Sequence, residues 1–458
     1  MEEMSLSHKF SQSILRKYDI RGIVGEDLNP IDAYALGRAF VEYLKLQNIE
    51  QTIAVIKDSR ASGIALKAEV IRGIVDGGGT VFDCGIGSTP TCYFASHHLK
   101  TSGFIAITGS HNPINYNGFK FGITGKAFSE EKILEIANLA QNLEIVDGGN
   151  VVESSNVKNA YIERILQDIP QMQSLKIGFN ALNGSAGAIL PKLAENLNAK
   201  IFECEMNGEL PTVLDPSNPQ NIERMKSDLQ THGLDVIFAF DGDADRIMAI
   251  TEKKVFFGED ILFLSVREVF SKINSGKVIF DVKCSNALKN EISKCGGTPV
   301  MYKTGHSLIK QKMLEENAVL AGECSGHIYF KNGYYGFDDG IYTAIRVLSY
   351  FANCGKTINE IIDEFPKLLK SPEIKVHCGE KFAVVKKLQK LMNERSLKFN
   401  DIDGIRCEIN ETAWFLVRAS NTEEVLIVRY ESENEGDFSH VKALTTSLLL
   451  QVGIEFTA

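Results

Sequence analysis

The amino-acid sequence predicts an α/β chain of three related domains with mostly parallel, mixed sheets, followed by a smaller C-terminal α+β domain. Three observations carry this. A unit of strand, polar loop, helix, glycine and strand occurs three times, at a spacing on the order of 100–120 residues, which is a domain-sized repeat. Strands alternate with helices through these units, as in parallel sheets covered on both faces. The last ~90 residues differ, with short strands and one closing helix.

The first unit starts after the polar stretch Tyr18-Asp-Ile-Arg-Gly22. Asn29-Pro30 marks a helix start, with Asn as cap and Pro in the first position. Leu36, Phe40, Tyr43 and Leu44 then share one helical face. Thr52–Ile56 reads as a strand, and Asp58-Ser-Arg60 as the loop after it. Ile64, Ala68, Ile71 and Val75 repeat at helix spacing, and Asp76-Gly-Gly-Gly79 ends that helix before a strand at Thr80–Cys84. A short buried strand, Phe104–Ile107, stops abruptly at Thr-Gly-Ser-His-Asn-Pro113.

The second unit runs from the strand Leu175–Phe179 through Asn180–Gly184 and a helix to Lys200–Cys204. The third runs from Lys277–Asp281 through Val282–Asn286 and a helix to Thr298–Tyr302. The closing region offers strands at Ile405–Ile409, Trp414–Val417 and Val425–Val428, then a helix over Phe438–Val452. Polar, structure-poor stretches divide the chain into 1–149, 150–254, 255–370 and 371–458.

Of 458 residues, 44% are hydrophobic and 24% charged, an ordinary globular balance that supports a large core. A net charge of −10 argues against a nucleic-acid or anionic-membrane surface. It leaves room for an anionic small substrate if basic residues gather around it. Nine cysteines without paired spacing predict reduced thiols and a cytoplasmic location. Met1–Phe10 lacks the apolar region of a signal peptide, and no apolar run approaches the ~18 residues that span a bilayer.

Four motifs carry chemistry. Ser110, on a sharp loop at a strand end with His111 beside it and Lys120 close behind, offers a hydroxyl able to carry a phosphoryl group. Asp241-Gly-Asp-Ala-Asp245-Arg246 follows an apolar strand. Its three carboxylates repel one another unless a cation sits between them, and hard oxygen ligands suit Mg²⁺ or Ca²⁺. Asp241, Asp243 and Asp245 match alternate positions of an EF-hand loop, but Arg246 stands where that loop needs glycine. Few protein ligands favour Mg²⁺, which completes its shell with water or phosphate. Gly322-Glu-Cys-Ser-Gly-His327 places an acceptor, a hydroxyl and an imidazole on one loop, groups suited to sugar hydroxyls. Cys324 has nothing basic placed to ionise it, so it reads as a packing residue. Arg418-Ala-Ser-Asn-Thr422 combines a guanidinium, hydroxyls, an amide and backbone N–H groups into a phosphate cradle. No P-loop is present. Lys283 and the Thr304-Gly-His306 loop each follow a strand of the third unit, where α/β sheets carry functional loops.

In this order these motifs resemble the α-D-phosphohexomutase family, which includes phosphomannomutases and phosphoglucomutases. The resemblance runs through essentially the whole chain. It implies three similar α/β domains and a smaller fourth around one deep cleft. It implies that Ser110 is phosphorylated and that Asp241, Asp243 and Asp245, with a phosphoserine oxygen, hold one Mg²⁺. Glu323, Ser325 and His327 would contact sugar hydroxyls, and Arg418, Ser420, Asn421 and Thr422 the distal phosphate. Tyr18, Arg21, Lys120, Arg246, Lys283 and His306 match cleft-lining positions. His111, Lys120, Arg21 and His327 are the candidate bases. The implied activity interconverts hexose 1- and 6-phosphates of mannose or glucose through a hexose 1,6-bisphosphate, which also serves as activator, in a monomer or weak dimer. Alternatives are a phosphoglucosamine mutase, a non-catalytic sugar-phosphate binder on the same fold, and a phosphatase. Two departures stand out: Ala244 where many members carry glycine, and Glu423-Glu424 after the phosphate motif.

Overall fold

The helix Pro30–Leu46 begins as its sequence dictates, with Asn29 at the cap and Pro30 in the first position. Leu36, Phe40, Tyr43 and Leu44 are all buried. The computed structural model describes residues 5–126, 128, 130–144, 148–169, 175–208, 213–421 and 423–456. The helix Gly63–Asp76 corrects the expected face. It buries Leu66, Val70, Gly73 and Ile74, while Ile64 is 66% exposed. The reason is a close helix–helix contact. A Cβ on Gly37 would lie 2.4 Å from the Val70 carbonyl oxygen, and one on Gly73 would lie 2.1 Å from that of Tyr34. Two glycines let the backbones touch, so they set the face instead of the largest apolar residues.

Three sheets repeat one topology. In the first, Thr80–Ile86, Thr52–Lys57 and Gly103–Ile107 run parallel, and Tyr116–Ile123 returns antiparallel. In the second, Lys200–Phe202, Ile177–Asn180 and Val236–Phe240 are parallel and Ile247–Ile250 returns. In the third, Thr298–Tyr302, Lys277–Asp281 and Leu320–Gly322 are parallel and Ile328–Phe330 returns. Numbered by unit, the strand order is 2-1-3-4 each time. The connection changes direction between strands 1 and 3, the crevice where such sheets place their sites. The fourth sheet is antiparallel, built on Ile405–Glu408, Trp414–Ala419 and Val425–Ser432, with the helices Lys381–Glu394 and Glu435–Gln451 following the chain's own order.

Each motif is therefore the turn of an antiparallel strand pair. Ser110 lies between Gly103–Ile107 and Tyr116–Ile123, and Asp241–Asp245 between Val236–Phe240 and Ile247–Ile250. Glu323–His327 joins Leu320–Gly322 to Ile328–Phe330, and Ser420-Asn421 begins the turn after Trp414–Ala419. The sequence reading marks the strand before each motif and misses the return in the first three domains, while Val425–Ser432, the return in the fourth, was expected from Val425. Tyr116–Ile123 is buried on both faces over most of its length, and Gly118, Lys120 and Gly122 erase any alternation.

Most other strands match the expected ones within a residue or two, and Lys277–Asp281 and Thr298–Tyr302 coincide with them, while Val425–Ser432 runs four residues past the expected end at Val428. Lys200–Phe202 stops short of Cys204, where Glu203 turns to a φ of +48°. Asn150–Glu153 pairs with Thr80–Asp83, so the first sheet runs past the expected division at 149/150. One continuous core holds the first three domains together, with Phe94, Phe179, Phe240, Phe280 and Ile345 in it. The fourth domain has its own core around Leu388, Phe415 and Leu449. No helix among the described residues is long and apolar enough to cross a membrane.

Candidate active site

Ser110 is 1% exposed and sits at φ +50°, a left-handed conformation that costs a non-glycine residue about 1–2 kcal/mol. The surrounding loop holds it there. Its N–H donates to Thr108 Oγ1 at 2.8 Å. The buried Arg60 guanidinium donates to four loop carbonyls, those of Ser110 (2.9 Å), Asn112 (2.6 Å), Pro113 (2.6 Å) and Tyr116 (3.0 Å). Asp58 Oδ2 lies 3.3 Å from Arg60 Nε and accepts the Gly109 N–H at 3.2 Å. Gly109 lies against this guanidinium, since a Cβ there would meet Arg60 Cζ at 2.6 Å. The Ser110 hydroxyl is left between His111 Nδ1 at 3.2 Å and Asp241 Oδ2 at 3.3 Å.

Asp241, Asp243 and Asp245 are fully buried, with ligand oxygens within 4.8 Å of one another. Burial and the carboxylates of Asp245 and Asp243 push Asp241 up to about 8. Lys120 Nζ donates to Asp243 Oδ2 at 2.6 Å and to Asp245 Oδ2 at 2.5 Å. Burial alone would lower the pKa of this ammonium, but Asp243, Asp245 and Asp241 hold it above its ordinary value. Asp243 Oδ1 and Asp245 Oδ1 are buried with no hydrogen-bond partner among the described residues. Three hard oxygens converging from one turn, two of them unsatisfied, fit a small divalent cation. Gly242 packs on the serine loop, because a Cβ there would lie 2.3 Å from the Ser110 carbonyl oxygen. Ala244 sits at φ +61°, which gives the physical reason that glycine suits this position.

The imidazoles differ in surroundings. Arg246, burial and Arg21 hold His111 well below its ordinary pKa. Arg21 pairs with Asp19 and donates to Asn112 Oδ1 at 3.1 Å. His327 Nδ1 lies 3.0 Å from Asp338 Oδ2, and Arg246 Nε donates to its Nε2 at 3.0 Å. This arrangement puts the ring proton on Nδ1. Burial lowers the His327 pKa, yet Asp245 and Asp338 more than offset it. His306 begins the helix His306–Glu315, stacks on His327 at 5.8 Å, and is held well below its ordinary pKa by burial and Lys310.

A cleft of about 1000 Å³ opens above these groups. His111, Arg246 and His327 line it at one end, with Arg418, Ser420 and Asn421 on the fourth domain. Tyr18, Lys283, His306, Glu323 and Ser325 line it as well. Glu323 Oε1 accepts the Gly305 N–H at 2.7 Å, and its Oε2 accepts from Tyr329 at 3.2 Å. Burial raises its pKa. Lys283 pairs with Glu373 at 2.7 Å. Arg418 Nε donates to Asp403 at 3.0 Å, and its NH2 is buried without a hydrogen-bond partner among the described residues. The Asn421 amide donates to Tyr18 Oη at 2.9 Å and accepts from Lys17 at 2.9 Å, so the first and fourth domains meet across the cleft. Thr422 lies outside the described residues. Burial pushes Cys324 up to about 12, but the expectation that nothing basic stands beside it is corrected: Arg429 Nη1 donates to its Sγ at 2.7 Å.

The expected residues that are described thus gather around one cleft and the buried floor beneath it. Sequence reasoning missed Arg60, Thr89, Asp338 and Asp403. Only the first had a usable signal, its place in the loop after strand 1 of the first unit.

Comparison with known proteins agrees with this layout. Models of the phosphoglucomutase/phosphomannomutase α/β/α domains I, II and III match residues 12–146, 159–254 and 257–369, and that of the C-terminal domain matches 373–445. The chain is 37% identical to the phosphomannomutase/phosphoglucomutase of Pseudomonas aeruginosa over 446 residues, 96% of each chain. It is 34% identical to a phosphoglucomutase of Neisseria gonorrhoeae, covering 94% of this chain and 95% of that one. A crystal structure of a phosphoglucomutase/phosphomannomutase family protein from Burkholderia thailandensis superposes with a TM-score of 0.90 at 31% identity, covering 97% of this chain and 99% of that one.

Proposed function

Since the chain belongs to the phosphoglucomutase/phosphomannomutase family, we propose that it interconverts the 1- and 6-phosphates of mannose and glucose through a phosphoserine at Ser110. The observation that carries this reading is the Ser110 hydroxyl 3.3 Å from Asp241, within a buried carboxylate triad and under a cleft lined by basic and polar groups. Mg²⁺ suits the triad because so few protein ligands are offered. When bound, it offsets negative charge on the phosphoryl oxygens.

The chain's own residues do the rest. Arg418, Ser420 and Asn421, with Thr422, anchor the phosphate that stays on the sugar. Glu323, Ser325 and His327 meet the hydroxyls, and Lys283, His306 and Tyr18 complete the wall. Among the candidate bases Lys120 is held protonated by its aspartates and the Arg21 guanidinium is paired with Asp19, which leaves the imidazoles. His327 is the base that fits best, because Asp338 fixes its tautomer and leaves Nε2 toward the cleft once Arg246 turns to the substrate. The substrate hydroxyl oxygen bonds to phosphorus as its proton passes to His327, and the P–Oγ bond to Ser110 breaks as the leaving oxygen takes a proton from the Lys120 ammonium held on Asp243 and Asp245. The resulting bisphosphate turns over, and the same events in reverse return the other phosphate to Ser110.

Discriminating the two hexoses rests on one hydroxyl, which a tolerant loop separates weakly. Assay of mannose, glucose and glucosamine phosphates side by side tests this. Comparable kcat/KM for the first two, weak turnover of the third and no activity in Ser110→Ala is the expected pattern. Preference for glucosamine phosphate would move the chain to another branch, and release of free phosphate in step with turnover would make it a phosphatase.

A further inference from the structure

We infer that Thr89, a residue of the first domain, is a positioning residue for the metal site carried by the second. Thr89 opens the helix Thr89–His98, which Ser88 caps by accepting the Thr91 N–H at 3.2 Å. It is 1% exposed and touches Asp243 twice. Its backbone N–H donates to the Asp243 carbonyl at 3.0 Å, and its hydroxyl donates to Asp243 Oδ2 at 2.6 Å.

A carboxylate in a tight turn can present either oxygen to an ion. At Asp243, Oδ2 already receives two donors, the Thr89 hydroxyl at 2.6 Å and Lys120 Nζ at 2.6 Å. Oδ1 receives none among the described residues although it is buried. The two donors therefore decide which oxygen is free, and the backbone bond fixes where the turn stands relative to Ser110. Lys120 cannot do this alone, because it is shared with Asp245 Oδ2 at 2.5 Å and sits on a long, rotatable stem. The Thr89 hydroxyl is on a short, β-branched side chain at a helix start, with few rotamers open to it. Outer partners of this kind typically govern about 10–100-fold in metal affinity.

The inference rests on the reading that the three aspartates hold a divalent cation, and its test reads metal binding itself. Titrate the full-length protein with Mg²⁺ by calorimetry, and with Mn²⁺ by electron paramagnetic resonance. Compare wild type, Thr89→Val, which keeps the shape without the hydroxyl, and Thr89→Ser, which restores it. Thermal unfolding checks that each is folded. The expected result is affinity about tenfold weaker or more in Thr89→Val and within about twofold of wild type in Thr89→Ser. Equal affinities in wild type and a folded Thr89→Val overturn the inference while leaving the metal reading intact. A wild-type protein that binds neither ion overturns both. Should Thr89→Val not fold, Thr89→Ala takes its place against the same Thr89→Ser reference.

Discussion

Arg60→Lys probes how Ser110 is held in place. The guanidinium serves four carbonyls of the loop at 2.6–3.0 Å and is fully buried beside Asp58. A lysine keeps the charge for Asp58 but carries three tetrahedral donors on a single nitrogen, in place of a planar fork. At least one buried carbonyl is then left without a partner, at about 1–3 kcal/mol. The serine has its own reason to move, because leaving φ +50° relieves about 1–2 kcal/mol. Relaxation of the loop takes Oγ away from Asp241, and a misplacement on the order of 1 Å can cost about 100-fold in rate. The variant should lose about 1–3 kcal/mol in urea unfolding. Its kcat should fall by about two orders of magnitude with KM nearly unchanged, since the proposed sugar and phosphate contacts lie on other loops. Initial rates of hexose 1-phosphate turnover give both constants. A variant with wild-type stability and kcat within twofold would refute the argument.

Arg418→Ala should weaken substrate binding by about tenfold to a hundredfold, the worth of one charge-assisted contact, and a wild-type Kd in a titration would contradict its place in the phosphate cradle. Glu259 gives a pH test of the seam between the third and fourth domains. Burial pushes its pKa up, but Arg429 and Lys370 outweigh this and hold it at about 2, against an ordinary 4.5. Because the folded value is the lower one, the stabilisation is present above about pH 4.5 and fades as pH falls toward 2, with a total of about 3 kcal/mol. The gap in unfolding free energy between wild type and Glu259→Gln should shrink across that window, and a constant gap would show that the carboxylate is not held down.

What the sequence discloses follows from where the information sits. Asn29-Pro30 and the Gly-rich end of Gly63–Asp76 are local signals, and the helices begin and end there. The motif residues were legible because charges and hydroxyls crowd at strand ends, where a merely structural turn needs few of them. The buried face of Gly63–Asp76 was not legible, because it depends on Gly37 meeting a helix 30 residues further on. Thr89 was invisible for the same reason: its partner Asp243 is 154 positions away, and a threonine at a helix start is ordinary. The return strand Tyr116–Ile123 was missed because Lys120 and its glycines suit a ligand site better than a sheet. Ala244 was noticed as a departure, and its φ of +61° explains why it matters locally.

The proposed mutase reaction requires a phosphoryl group that resides on one side chain between half-reactions. Incubation of the protein with a hexose 1,6-bisphosphate and Mg²⁺, followed by peptide mass spectrometry, reads that directly. One phosphate per chain on Ser110, absent from Ser110→Ala, is the result predicted. Isomerase activity without phosphate on Ser110, or with the phosphate on another residue, would contradict it.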